Sequence, residues 1–222
     1  MNKFVKTKEL FGVVPDYLLP LFDSSEYPWE MLPRIKEYIL EIIKRGLPRY
    51  KRISENVLVG ERVKIYSTAT IEGPTVIGSD TEIRPGAFIR GSVIIGAGCV
   101  VGNSTELKNS ILLDCVDVPH YNYVGDSILG YRSHAGAGVV CSNLKADGSA
   151  VVVRGERDYE TGLRKLGAIL GDYADIGCNT VLNPGTVVGQ RTTVYPLSRL
   201  RGVYPAGCIV KSENVYVEKE QR

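Results

Sequence analysis

Taken in steps of six from Val59, the chain reads Val59, Ile65, Ile71, Ile77, Ile83, Ile89, Ile95, Val101, Leu107 and Leu113, ten aliphatic side chains without a gap. With Ile, Leu and Val near one residue in four, chance gives such a run on the order of once in a million. Four residues after each comes a second series of small or β-branched side chains: Val63, Ala69, Thr75, Thr81, Ala87, Val93, Cys99, Thr105 and Ile111. Turn formers fill the positions between, as in IGSDTE, IGAGCV and VGNSTE, so each hexad reads as a short strand closed by a tight corner. One hexad buries nothing alone. Coils stacked at the strand spacing of about 4.8 Å bury the aliphatic column against itself and satisfy the backbone between turns. The pattern therefore predicts a mainly β protein, a parallel β-helix of hexapeptide repeats.

The pattern resumes in a new phase at Leu129 and Ala135, and again at Leu170, Ile176, Leu182, Val188, Val194 and Leu200, with Ala174, Thr180, Thr186, Thr192 and Ser198 as small companions. Two interruptions remain, at 119–128 and 141–165, and breaks in a repeat are where function tends to sit. The second, with Asp147-Gly148 and the charged run Arg154-Gly155-Glu156-Arg157-Asp158, reads as a long loop excursion from the coil. Ahead of the repeat, 33–45 starts on Pro33, is followed by Gly46 and carries Ile35, Tyr38, Ile39, Ile42 and Ile43 on one side, which predicts a short amphipathic α-helix. Its apolar stripe has to dock on the first coils or on a neighbouring subunit; Lys36, Glu37, Glu41 and Lys44 on the other side argue against a membrane surface. The organisation expected is a helical segment at 1–52, a β-helix at 53–210 with its excursion at 141–165, and a tail at 211–222.

Composition narrows the function classes. Across 222 residues the net charge is only +2, which removes nucleic acid and membrane as main partners and makes any anion site local. No apolar leader precedes a cleavage site and no 18-residue apolar run occurs, so a cytoplasmic protein is expected. Five scattered cysteines without a CxxC pair argue against a disulfide framework and a zinc site, and read as reduced packing residues. With only His120 and His134, a three-histidine zinc centre of the kind found in γ-class carbonic anhydrases on this coil cannot be built, and no metal is expected.

Hexads of the form [LIV]-[GA]-x-x-[STAV]-x resemble those of the hexapeptide-repeat acyltransferases. More specifically, VGNSTELKNSILLDCVDVPHYNYVGDSILGYRSHAGAGVVCSN resembles the acetyltransferase domain of the bifunctional uridylyltransferase/glucosamine-1-phosphate N-acetyltransferases. The resemblance implies a left-handed winding, a homotrimer with sites at subunit interfaces, acetyl-CoA as co-substrate, and acetyl transfer to an amino sugar phosphate, glucosamine-1-phosphate, on the route to UDP-N-acetylglucosamine. Position by position, it implies His120 as the catalytic histidine. Arg90, Lys108, Tyr123, His134, Asn143 and Lys165 fall on substrate-binding positions, and Cys178, Pro196 and Lys211 fall near the cofactor. His134 stands where the family has an asparagine, Leu144-Lys145-Ala146-Asp147-Gly148 where it has Tyr-Asp-Gly, and Cys178 where it has serine; these departures bear on acceptor identity. Residues 1–52 contain no glycine-rich nucleotide loop, so uridylyl transfer by this chain is not expected.

The residue types suit that chemistry. A histidine, with an ordinary pKa near 6.5, can take a proton from the attacking amine, a contribution of roughly 10²–10⁴-fold. Arg90 and Lys108 lie three hexads apart, which in a three-sided coil places them on one face a turn apart, where a phosphate could bridge them. Lys165 and Tyr123 would complete the anion pocket, Asn143 could hold the sugar through its amide, and backbone N–H groups at the corners could serve the oxyanion. Each of these residues also has a plain reading as a solvated surface side chain. Two rival functions stay open: an acyltransferase on another amino sugar or nucleotide sugar, and a non-catalytic binding or scaffold subunit.

Overall fold

The computed structural model describes residues 4–220. From Val57 the chain winds into a parallel β-helix with sheets of nine, seven and nine strands, in which each strand pairs with the one a full turn later. The first sheet, from Val57–Val59 to Val203–Tyr204, is the capped face. The second face runs from Lys64–Ile65 to Cys208–Ser212 and the third from Thr70–Glu72 to Arg199–Leu200. Antiparallel end strands finish the two nine-stranded sheets, Lys51–Ser54 at one end and Val215–Glu218 at the other.

The aliphatic position of each hexad points inward. On the capped face Val59, Ile77, Ile95, Leu112, Leu129, Leu170, Val188 and Tyr204 pair in register as one buried column. Each such side chain removed from water contributes about 1.5–3 kcal/mol. Cys99, Cys141 and Cys208 sit in the same core, and burial pushes the Cys141 thiol up to about 12. They act as small apolar residues.

The column corrects the strict six-residue count at its last step. Glu106 pairs with Phe88, three full hexads back, but Ser110 pairs with Val93, one position short of that spacing. Asn109 alone, at φ 47°, answers the two corner residues Gly91 and Ser92. Leu112 and Ser110 therefore take the inward places expected of Leu113 and Ile111, which turn outward under the helical segment. The shorter turn persists, since Tyr123 pairs with Val140, again one position short of three hexads. It reads as an interruption at 119–128, yet no break exists there: Asp117–His120, Tyr123–Gly125 and Ile128–Leu129 continue the three sheets.

The real break lies between Cys141 and Ala168, where Val152–Arg154 and Asp158–Glu160 form an antiparallel hairpin before the coil resumes with Ile169 opposite Ile128. On the other side of the capped face lies the helical segment: helices Thr7–Leu10 and Leu19–Asp23, a 3₁₀ helix Pro28–Arg34, and an α-helix Ile35–Arg45 ending at Gly46. The expected start at Pro33 shifts, because Pro33 belongs to the 3₁₀ turn and the α-helix begins at Ile35.

This cap docks on its own chain. Leu18, Leu21, Met31, Ile35, Ile39 and Ile42 cover the outward residues of the capped face, Leu58, Val76, Ile94, Ile111, Ile128, Ile169, Val187 and Val203. With both sides buried, the strands of this face are apolar at consecutive positions, VLV, VII and AIL, where the other faces alternate. Asp172 staples the cap's start: its carboxylate accepts from Gly12 N at 2.7 Å, Val13 N at 3.2 Å and Tyr131 N at 2.9 Å. Tyr27 stacks on Trp29 at 4.8 Å, and both rings meet Tyr159 of the hairpin, which ties cap and excursion together.

Candidate active site

Winding puts Arg90 and Lys108 side by side on the third face, since Leu107 pairs with Ile89. Both cations already hold carboxylates. Arg90 Nη1 donates to Glu106 Oε1 at 2.7 Å, and Lys108 Nζ lies 3.5 Å from Asp126 Oδ2. Asp126, only 5% exposed, is the hub of the cluster. Its Oδ2 accepts from Asn143 Nδ2 at 2.5 Å and its Oδ1 from Asn109 Nδ2 at 2.9 Å. Asn143 Nδ2 also approaches Tyr123 Oη at 3.3 Å, and burial raises the Tyr123 phenol above its ordinary pKa. The Asn143 side-chain nitrogen is thus committed within the protein. Gly125 makes the arrangement possible: a Cβ there would sit 2.6 Å from Tyr123 Oη and 2.8 Å from Asn143 Nδ2.

His120 lies on a different edge. It ends the second-face strand Asp117–His120 and is exposed, and Tyr121 at φ 52° turns the corner to Tyr123 on the third face. Asn122 fills the inward small position of that corner and braces it. Its Oδ1 accepts from His120 N at 3.1 Å, and its Nδ2 donates to Gly136 O at 2.8 Å. Gly102 on the preceding coil has no room for a Cβ, which would overlap the backbone of Pro119. The imidazole is therefore carried on a backbone fixed from both neighbouring coils.

The corners stack. Gly138 N donates to His120 O at 3.0 Å, Asn179 N to Ala137 O at 2.8 Å, Leu197 N to Cys178 O at 2.9 Å, and Tyr195 N to Val210 O at 2.9 Å. His120, Cys178, Pro196 and Lys211 consequently follow one another down a single edge, spanning about 19 Å at the strand spacing of roughly 4.8 Å. Apolar side chains are unusually open along it: Tyr121 is 64% exposed, Tyr195 46% and Leu197 79%. Lys211 closes the far end of this edge, which presents an open apolar strip along its middle.

His134 stands apart from both groups, mid-way along the second face between Asp117 and Asp175. Its Nδ1 is 2.9 Å from Asp175 Oδ1, a hydrogen bond that raises the imidazole pKa and lowers that of the carboxyl. Lys165, exposed at the end of the excursion, borders a cleft of about 460 Å³ whose walls include Leu32, Pro33, Asn109, Asp126 and Leu163. A second cleft of about 500 Å³ lies beneath the excursion between Lys145, Asn183, Arg199, Arg201 and Glu213. Among the described residues no group of three or more His, Cys, Asp or Glu is disposed to hold a metal ion, and no helix is long and apolar enough to cross a membrane.

The structure thus joins Arg90, Lys108, Tyr123 and Asn143 in one cluster with Lys165 beside it, lines up His120, Cys178, Pro196 and Lys211, and leaves His134 in neither. Glu106, Asp126 and Asn122 join the site although the six-residue period does not mark them. The signal for two of them lay within PHYNYVGD itself, whose Asn and Asp are as suited to bracing a site as its His and Tyr are to working in one.

Comparison with known proteins adds three findings. Residues 71–161 match the family model described as the GMPPB C-terminal domain. The bifunctional protein GlmU of Methanococcus vannielii is 29% identical over 223 residues, covering 99% of this chain and 50% of that protein; its counterpart in Methanococcus maripaludis is 32% identical over 197 residues, covering 87% and 47%. A bifunctional sugar-1-phosphate nucleotidylyltransferase/acetyltransferase of Sulfurisphaera tokodaii is 35% identical over 147 residues, covering 65% of this chain and 36% of that one. The chain spans about half the length of the first of these relatives.

Proposed function

We propose, from the chain's hexapeptide coil and its resemblance to the acetyltransferase half of bifunctional GlmU, that it is an acetyl-CoA-dependent N-acetyltransferase acting on an amino sugar phosphate, with glucosamine-1-phosphate the first acceptor to test. The observation that carries the reading is the edge on which a braced, exposed His120 heads a line of corners leading to Lys211. In this reading the imidazole accepts the amine proton as the C–N bond forms and the thioester C–S bond breaks, and it returns the proton to the departing thiolate. Backbone N–H groups of the edge that do not bridge neighbouring coils serve the oxyanion, and Tyr121, Tyr195 and Leu197 flank the pantetheine arm.

Tyr123, the side-chain oxygen of Asn143 and Lys165 hold the acceptor; Asp126 fixes the Asn143 amide nitrogen, which in turn holds the Tyr123 hydroxyl. Arg90 and Lys108 serve the phosphate by partial release from Glu106 and Asp126. His120→Ala tests the assignment. With His120 exposed, this variant should keep the fold and lose roughly 10²–10⁴-fold in kcat. Equal thiol release by variant and wild type would favour a non-catalytic role for the edge.

A further inference from the structure

The geometry points to a second ligand site, in the cleft of about 500 Å³ beneath the excursion, that takes a phosphorylated sugar apart from the acceptor and clamps the excursion onto the coil. This goes beyond acetyl transfer: neither the cluster of Arg90, Lys108 and Tyr123 nor the edge from His120 to Lys211 lines the cleft. Winding builds its floor. Cys141 pairs with Leu182 and Leu182 with Leu200, so the next residues, Ser142, Asn183 and Arg201, stand one below another at steps of roughly 4.8 Å. Ser142 N donates to Leu182 O and Asn183 N to Leu200 O, each at 2.9 Å, which holds the floor in register. All three residues are half-buried, and among the described residues no partner is bonded to Ser142 Oγ, Asn183 Oδ1 or the Arg201 guanidinium.

Charge and size name the ligand. Among the described residues three cations line the cleft, Lys145, Arg199 and Arg201, against two carboxylates that are already engaged. Glu213 Oε2 accepts from Arg199 Nη2 at 2.8 Å; Asp147 Oδ1 accepts from Ser149 N at 3.0 Å, and Asp147 Oδ2 lies 3.7 Å from Lys145 Nζ. Arg201 is left as the uncompensated charge, a planar fork suited to two oxygens of one phosphate. The hydroxyl of Ser142 and the amide of Asn183 suit sugar hydroxyls, and no lining residue is aromatic, so a base would find no ring to stack on. The volume lies within the range of small-molecule sites, about 300–1,000 Å³. Lys145 hangs from the excursion while the floor belongs to the coil, so one bound anion ties the two together. The far part of the excursion is already held, since a Cβ on Gly185 would come 2.8 Å from Val151 Cγ1 and one on Gly202 would come 2.8 Å from Arg154 O. The near part is open, with Leu144 44% exposed and Ala146, Asp147 and Ser149 exposed as well.

The test is calorimetric titration of the full chain, in phosphate-free buffer, with glucose-6-phosphate, a sugar phosphate without an amine to acetylate. Binding should persist in Arg90→Ala, weaken about ten-fold or more in Arg201→Ala, and be lost in Arg201→Glu; added salt should weaken it in the wild type. Tryptic cleavage after Lys145 should slow when the sugar phosphate is added to the wild type and stay unchanged in Arg201→Ala. Because the Arg201 side chain holds no partner among the described residues, Arg201→Ala should keep the wild-type Tm and, without glucose-6-phosphate, the wild-type rate of thiol release. Those two controls separate loss of the site from loss of the fold. Absent binding, or binding indifferent to both Arg201 changes, would overturn the second site. Binding lost in Arg90→Ala would place the anion in the acceptor site and overturn it too. If the wild type acetylates no amino sugar phosphate, the functional reading fails, while titration and proteolysis still decide this site.

Discussion

Asp126→Asn is the sharpest perturbation of the cluster, because it keeps the shape and removes the charge. The carboxylate satisfies two amides, Asn143 at 2.5 Å and Asn109 at 2.9 Å, and lies 3.5 Å from the Lys108 ammonium. An amide in its place offers one oxygen and points an NH₂ at a neighbouring donor, so one of the two asparagines loses its partner at a position only 5% exposed. A buried hydrogen bond to a charged group is worth about 1.5–3 kcal/mol. Adding the loss of the Lys108 pair, the expected destabilisation is about 2–4 kcal/mol. For a chain of this size that lowers Tm by roughly 5–12 °C. Asn143 would lose its anchor, and with it the contact that holds Tyr123, so KM for the acceptor should rise about ten-fold while KM for acetyl-CoA stays as it was. Thermal unfolding followed by circular dichroism, together with thiol-release kinetics, reads both. A variant within about 0.5 kcal/mol of wild type, the range of a neutral surface change, and with unchanged acceptor KM would show that the carboxylate does not organise the cluster.

Gly125→Ala should separate Tyr123 from Asn143, since its new methyl meets both, and raise acceptor KM several-fold; unchanged kinetics would discount that hydrogen bond. Ile94→Lys buries an unpaired charge beneath the cap, at a residue of 0% exposure, and should release residues 4–50 to limited proteolysis under conditions where the wild-type cap is protected. The His134–Asp175 pair gives a pH test. A raised imidazole pKa contributes stability that is present below the unfolded-state value of histidine and is lost as pH rises through the folded one. The lowered carboxyl pKa contributes above its unfolded value and is lost as pH falls through the folded one. Asp175→Asn should therefore lower Tm most between the two titrations and not at all in alkaline solution. Because both groups are about half exposed, the effect should stay within about 1 kcal/mol.

Much of the coil was legible because its period is enforced by packing: an aliphatic residue every six positions has no other use at that density. The count failed where backbone geometry changed without a change in composition. Asn109 takes a left-handed corner alone, one residue shorter than Gly91-Ser92, and the same apolar letters then shift by one place, so Leu112 replaces Leu113. The cap's docking site was written in the consecutive apolar triplets VLV, VII and AIL, whose middle, outward-facing residues a search by sixes skips.

In the site, residue types and common faces could be read, but compensation could not. Glu106 becomes the partner of Arg90, and Asp126 that of Lys108, only after the coil has wound and laid the next turn beside each cation. His134 shows the converse. Its departure from the family asparagine was visible in the sequence, while its pairing with Asp175, across the whole excursion, was not.

Whether this chain transfers acetyl groups to an amino sugar phosphate from the edge headed by His120 is decided by thiol release from acetyl-CoA, compared between wild type and His120→Ala. Glucosamine-1-phosphate is the first acceptor, other phosphorylated amino sugars follow, and product mass is the second readout. The wild type should yield an N-acetylated sugar phosphate, and the variant should lose roughly 10²–10⁴-fold in kcat. No thiol release with any of these acceptors, or equal turnover by both proteins, would overturn the assignment.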